Sequence, residues 1–233
     1  MSVLCTICAR GESKGLTNKA LRSLNGKPLI SYTIKQAINS KAFDHIVAST
    51  DSKNIAEKVK FFGLKTCLIR PKELATDTSS KILVIRHALL ESEKLYKKEF
   101  DIIVDLDITS PLRRVDDIKK SLKQFIDTGA ENLISACPSK KNPYFNMVEI
   151  VNDQVQIVKK DIKQYTRRQE APLTYEMNAS IYIWKRDALF ASDELFTDKT
   201  SLYKMSEKQA IDIDNENDLN IVEFLLKKEN YND

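Results

Sequence analysis

The chain has 233 residues, 42% apolar and 30% charged: long enough to bury the core of one large α/β domain, and ordinary in composition for a globular protein. A formal net charge of +4 is too slight to imply nucleic acid, although it suits an anionic substrate. Neither a signal-peptide pattern nor an apolar run of membrane length is visible, so no membrane association is expected and a cytoplasmic location is.

Strand-like and helix-like patterns alternate along the chain. Strands are expected at Val3–Ala9, His45–Thr50, Thr66–Ile69, Asp101–Asp107, Asn132–Ala136, Ala179–Trp184 and Ala210–Ile213. Helices are expected at Pro28–Asn39, Ser52–Phe62, Ser80–Tyr96, Val115–Asp127 and Glu216–Lys228. The second helix has the clearest grammar: Asp51 or Ser52 as N-cap, Ile55, Val59 and Phe62 on one face, and Gly63 as terminator. Such alternation implies a Rossmann-like α/β fold, a mainly parallel sheet flanked by helices, with ligands outside the carboxyl ends of the strands. Residues 138–175 break the rhythm. Met147–Ile150 and Val155–Val158 flank Asn152-Asp153 as a β-hairpin, and basic and aromatic residues follow. A hairpin cannot bury both of its faces alone, so it is either a surface excursion or an arm packing on a second subunit of a homodimer; the arm is the expectation here.

The first strand runs into Arg10-Gly11-Glu12-Ser13-Lys14-Gly15-Leu16, with Lys19 just beyond. Glycines let backbone N–H groups turn toward a polyanion, and Arg and Lys neutralise it, so this loop suits nucleotide phosphates. It matches neither a Walker loop nor GxGxxG, and an ordinary strand-to-helix turn on a basic surface is the other reading. Two Asp-x-Asp pairs stand at expected strand ends, Asp105/Asp107 and Asp212/Asp214. Residues two apart on a strand share a face, so each pair aims two carboxylates at one point, as Mg²⁺ sites require. Plainer roles exist for both: Asp214 as the N-cap of the last helix, Asp105 as a solvated strand end. Arg113, after the Thr109-Ser110-Pro111 turn, is either an anion contact or a solvated arginine. Cys5 and Cys8 have CxxC spacing without a second pair and fall on opposite faces of a strand, which favours buried thiols over zinc. His45 and His87 have no nucleophile partner, and Trp184 reads as core.

Several stretches together resemble the N-acylneuraminate cytidylyltransferases, the CMP-sialic acid synthetases. They are AR-x-x-SKGL (from Ala9) with Lys19, STD (Ser49–Asp51), RP-x-ELA-x-DT (Arg70–Thr78), TSPLR (Thr109–Arg113) and SACP (Ser135–Pro138). RQ-x-x-P (Arg168–Pro172), N-x-x-IYI (Asn178–Ile183) and DID-x-E-x-DL (Asp212–Leu219) complete the set. NPYFN-x-VEI (Asn142–Ile150) and YEMNASIYI (Tyr175–Ile183) look like the branch acting on bacterial nonulosonic acids such as legionaminic acid. The resemblance implies a reaction of CTP with a nine-carbon 2-keto sugar acid, releasing pyrophosphate. It implies CTP binding by Arg10, Gly11, Ser13, Lys14, Gly15, Lys19, Arg70, Ser79 and Lys81, with Arg10, Lys19 and Asp212 central to catalysis. Mg²⁺ would lie on Asp212 and Asp214, and the sugar on Asp107, Arg168, Asn178 and Tyr182. The chain departs from the family pattern at Ala20 (usually Asn), Asp107 (Gln in sialic acid enzymes) and Glu12 (usually Gly in the related branch). Two alternatives stay open: a nucleotide-sugar-dependent glycosyltransferase using Asp105/Asp107 as its metal pair, and a nucleotide-sensing module without turnover.

Overall fold

The computed structural model describes residues 1–13, 15–163 and 165–228. The chain opens with strand β1 (Val3–Cys8), a two-residue hairpin β2 (Ser23–Leu24) and β3 (Lys27–Pro28), and helix α1 (Leu29–Ser40). There follow β4 (His45–Thr50), α2 (Lys53–Phe61), β5 (Thr66–Ile69), α3 (Lys81–Tyr96), β6 (Ile102–Leu106), α4 (Val115–Thr128) and β7 (Asn132–Pro138). The chain closes with hairpin β8 (Val148–Val151) and β9 (Gln154–Ile157), then β10 (Tyr175–Lys185), α5 (Arg186–Ala191), β11 (Thr200–Lys204) and α6 (Glu216–Lys228). Local grammar accounts for the boundaries. The Ser52 hydroxyl accepts the Ile55 amide at the start of α2, and Gly63 just past its end has φ of 92°.

Seven strands form one sheet in the order β11-β7-β10-β6-β1-β4-β5. All pairings are parallel except those of β10, which runs antiparallel to both β6 and β7. The central strands are apolar on both faces because both faces are covered. Cys5, Ile7, Val104 and Leu106 pack against α1, α2 and α4, while Leu4, Val47, Ile103 and Trp184 pack against α3 and α5. Cys5 and Cys8 point to these opposite faces, and burial pushes both thiols well above the ordinary range. Leu219, Val222 and Leu226 of α6 form a third cluster with Leu16, Leu24, Leu29, Leu112 and Ile213.

One expectation needs correction, and two elements were not expected. Ala210–Ile213 is not a strand. The last strand of the sheet is β11, and Asp212-Ile213-Asp214 is an irregular segment pinned where Ile213 enters the α6 cluster. Its polar sequence Thr-Ser-Leu-Tyr-Lys hides β11, whose residues are only half-buried at the sheet edge. Helix α5, six residues long, was too short to give a periodic signal. The 148–157 hairpin is present with a two-residue turn, Asn152 and Asp153 both at positive φ (51° and 60°), as a type I′ turn requires.

Candidate active site

The chain winds outward from β1 to β4 and β5 on one side, then returns to β6 on the other. The crevice between β1 and β6 is therefore the switch point of the sheet, where an α/β fold presents its ligand site. A cleft of about 620 Å³ opens there, lined by Arg10 from the end of β1, Arg70 from the end of β5, Asp107 from the end of β6, and Lys19, Asp212 and Asp214 from loops. Ser13, Gly15, Ser79 and Lys81 also line it. Lys14 lies outside the described residues.

The glycine loop is held at both ends. The Gly11 amide donates to Asp51 Oδ1 at 2.9 Å, so the STD segment anchors its start. At the other end a Cβ on Gly15 would stand 2.4 Å from the Asp214 carbonyl oxygen, so only glycine lets the loop lie against the Asp212–Asp214 segment. Lys19 Nζ donates to Asp214 Oδ1 at 2.7 Å, and Arg10 bonds the Thr76 carbonyl at 2.9 Å and Asp77 at 2.6 Å. Arg70 is 6% exposed, burial pulls its pKa down, and its Nε has no partner within the protein. Ser79 is tied into its own loop, its hydroxyl donating to the Glu73 carbonyl.

Asp212 and Asp214 are displayed by the residue between them. Ile213 is fully buried, and its amide donates to the Thr109 carbonyl at 3.0 Å, which ties the segment to the turn after β6. Removing most of such a side chain costs about 2–5 kcal/mol, so this anchor is firm. Asn215, not Asp214, accepts the first amides of α6, from Asn217 and Asp218. Burial pushes the Asp212 carboxyl up to about 6, the charges of Asp107 and Asp214 adding to the rise while Thr109 and Lys19 oppose it. Asp212 Oδ1 is buried with no hydrogen-bond partner. An unpaired carboxylate oxygen beside other carboxylates fits a hard divalent cation.

The other pair behaves differently. Asp105 is 1% exposed rather than a solvated strand end, and its Oδ1 accepts from the Thr6 hydroxyl at 2.7 Å. Lys81, the first residue of α3, reaches between the two carboxylates, 2.5 Å from Asp107 Oδ2 and 3.4 Å from Asp105 Oδ2, and lies 4.4 Å over the Tyr182 ring. Burial disfavours charge on Lys81, yet the two carboxylates outweigh it and raise its pKa. Asp107 Oδ1 accepts from the Thr109 amide and hydroxyl. The glycosyltransferase reading needs this pair free for a metal, and the chain's own ammonium fills it.

Three expected contacts lie elsewhere. Asn178 is fully buried, accepting from the Ser135 hydroxyl and donating to the Gln209 carbonyl, so it braces β10 instead of facing the cleft. Tyr182 stacks on Trp184 behind Lys81, in a neighbouring 280 Å³ cavity. Arg168, on the arm, donates to the Ser139 carbonyl and does not line this chain's cleft. Arg113 is neither an anion contact in the cleft nor solvated: it is 1% exposed and clamps the Asp107 and Ser180 carbonyls and the Thr33 hydroxyl. The resemblance puts Lys81 on CTP; its bridge to Asp105 and Asp107 was not legible, because more than twenty positions separate the lysine from the two carboxylates.

A sheet of this topology, with cations, a glycine loop and paired carboxylates at its switch point, defines a nucleotidyltransferase. The family model described as "Cytidylyltransferase" matches residues 4–230, and the chain belongs to that family. It is 49% identical over 228 residues to the CMP-N,N'-diacetyllegionaminic acid synthase of Campylobacter jejuni, covering 98% of this chain and 96% of that one. It is 48% identical, over the same shares, to the post-translational flagellin modification protein B of Campylobacter coli. Among solved structures it matches CMP:2-keto-3-deoxy-manno-octonic acid synthetase complexed with CTP, with a TM-score of 0.72 at 19% identity over 98% of this chain and 100% of that one, a likeness of fold. Among the described residues no helix is long and apolar enough to cross a membrane.

Proposed function

We propose that the chain transfers CMP from CTP to the anomeric hydroxyl of a nonulosonic acid of the legionaminic type, releasing pyrophosphate. The single observation that carries this reading is the convergence of Arg10, Lys19, Arg70, Asp212 and Asp214 on one cleft at the switch point. The 49% identity to a legionaminic acid synthase supports the choice of sugar.

In the proposed reaction the sugar hydroxyl oxygen bonds to the α-phosphorus as the bond to the β-phosphate oxygen breaks, with no covalent enzyme intermediate. The protein's part is to align the two substrates and offset the charge that builds on phosphate oxygens. Arg10, Lys19 and the loop at Ser13 and Gly15 hold the triphosphate, with Gly11 anchoring that loop on Asp51; Arg70, with Ser79, meets the nucleoside side. Asp212 and Asp214 would hold Mg²⁺, which when bound polarises the α-phosphate and acidifies the attacking hydroxyl. Lys81 keeps Asp107 ionised and fixed at the edge of the cleft, below the ordinary carboxylate range although burial opposes it. There it accepts, rather than donates, hydrogen bonds from the sugar. We further propose a homodimer in which the 138–175 arm brings Arg168 to the partner's sugar carboxylate. The reading sets the reaction in a reducing cytoplasm, in keeping with four free cysteines.

Incubation with CTP, Mg²⁺ and a panel of nonulosonic acids tests this, with CMP-sugars and pyrophosphate read by mass. The expected result is CMP-legionaminic-type product in preference to CMP-N-acetylneuraminic acid, abolished by EDTA and restored by Mg²⁺ or Mn²⁺. CTP left intact with every sugar would refute the assignment.

A further inference from the structure

Strand β10 is strained where it passes the end of β6. Apart from turns and helix ends, the one described non-glycine residue at positive φ is Ala179 (φ 50°), inside that strand. A side chain in this region crowds the backbone, so such a residue persists only where its surroundings dictate it. Here they do. Met177 pairs with Ala136 and Tyr182 with Ile134, so residues 178–181 bulge opposite Ser135 alone. The Ser135 hydroxyl fills the gap: it accepts the Ile181 amide at 2.8 Å and donates to Asn178 Oδ1 at 2.8 Å. A bulge re-aims the side chains it carries, and this one leaves Asn178 fully buried.

That donation fixes which way the Asn178 amide points. Its Nδ2 donates to the Gln209 carbonyl at 3.1 Å, with the sulfurs of Cys137 and Met205 around it at 3.5 and 3.3 Å. Gln209 is itself buried at the close of a single 3₁₀ turn, Glu207–Gln209, and its side chain reaches the Leu112 carbonyl and Asp117. From it the chain runs directly into Asp212. The acidic segment is therefore held at two points: before Asp212 by Asn178, on Gln209, and after it by the Thr109 carbonyl, on the Ile213 amide. The backbone around Ala179 serves the other acidic element. The Asn178 carbonyl accepts the Ser110 hydroxyl at 2.8 Å, and the Ser180 carbonyl accepts the Asp107 amide at 3.2 Å.

We infer that Asn178 is a positioning residue: it sets the Asp212–Asp214 segment against the Asp107 turn, and with it the geometry in which the cleft holds a divalent cation. The cation part rests on the proposed metal role of Asp212 and Asp214. An amide suits the task because its oxygen takes the Ser135 proton while its nitrogen gives one to Gln209. A carboxylate of the same shape keeps the first contact and turns oxygen against oxygen at the second.

The test compares Asn178→Asp, which breaks the Gln209 contact, with Ser135→Ala, which breaks the other one, in the whole nucleotide-free protein. Asn178→Ser, shorter and uncharged, takes the place of the Asp variant if that one does not melt cooperatively. Hydrogen exchange at the Ile213 amide should quicken at least about tenfold in Asn178→Asp, with Ile103 and Val104 in the sheet unchanged. Mn²⁺ is then titrated in and the free ion read by electron paramagnetic resonance; the variant should bind it at least about tenfold more weakly than the wild type. Ser135→Ala should lower the melting temperature yet leave both readings within about twofold of wild type. Unchanged Ile213 exchange in a folded Asn178 variant overturns the inference, as does quickening shared by the whole sheet or an equal effect of Ser135→Ala. Wild-type Mn²⁺ affinity in that variant overturns the link to the cation. A wild-type protein that binds no Mn²⁺ refutes the metal role of the aspartates instead, and the exchange rates still decide the role of Asn178.

Discussion

Asp212 carries a cost in stability that its proposed role in the cleft would explain. Its carboxyl titrates at about 6 in the folded chain against about 3.9 when unfolded. The folded form thus holds its proton longer, and between pH 4 and 6 it binds more protons than the unfolded chain, so this group's contribution makes stability fall as pH rises through that window. Two pH units correspond to at most about 3 kcal/mol, and partial solvent access reduces this to about 1–2 kcal/mol. Asp212→Asn should therefore raise the melting temperature of the ligand-free protein at pH 7.5 by at least about 2 °C, with the gain shrinking toward pH 4, while turnover collapses. Calorimetric melts across that range check it; a destabilised variant at neutral pH would contradict the assignment. Gly15 makes the opposite case, a residue whose lack of a side chain lets two loops meet. Gly15→Ala would drive a methyl into the Asp214 carbonyl, and the loop must withdraw. Its expected signature is a loss of at least about tenfold in kcat/KM, or roughly 1.4 kcal/mol, with the melt unchanged, because Gly15 is exposed and outside the core.

At the level of elements the 148–157 hairpin stands out, since among the described residues none of its side chains belongs to a core cluster. Val148, Ile150 and Val155 are 63–74% exposed, an edge that isolated chains avoid. Ile150→Asp with Val155→Asp should convert the proposed dimer to monomer in sedimentation while leaving the monomer's melt unchanged; a wild-type chain that sediments as a monomer would remove the need for the arm. This hairpin was legible because Asn-Asp between alternating apolar residues allows one tight turn. The buried central strands and amphipathic helices were equally plain, for their periodicity is imposed by the two-sided core. The edge strand β11 and the short α5 were hidden for the converse reason: few of their residues are buried, so packing writes little pattern into them. In the cleft, Arg10, Lys19, Arg70, Asp212 and Asp214 could be picked from motif and spacing. Asn178, Tyr182 and Arg113 could not be sorted into core or cleft, because a polar residue braced inside a fold and one facing a ligand look alike in sequence until their hydrogen-bond partners are known.

Across the molecule as a whole, charge is arranged in couples. The cleft is lined by Arg10, Lys19, Arg70 and Lys81, and by Asp77, Asp107, Asp212 and Asp214. Arg10 holds Asp77, Lys19 holds Asp214 and Lys81 holds Asp107, and among the described residues Arg70 and Asp212 are in no ion pair. An empty cleft of this kind gathers few counterions from solution. In the proposed reaction it would work as an ion exchanger: an arriving triphosphate would take Arg10 and Lys19 from their aspartates, and the freed carboxylates would become the acceptors for whatever positive charge travels with the nucleotide. Because one set of contacts replaces another, CTP affinity should fall only gently with added salt, and Asp77→Asn should both tighten CTP at low ionic strength and steepen that dependence, a comparison two titration series would make.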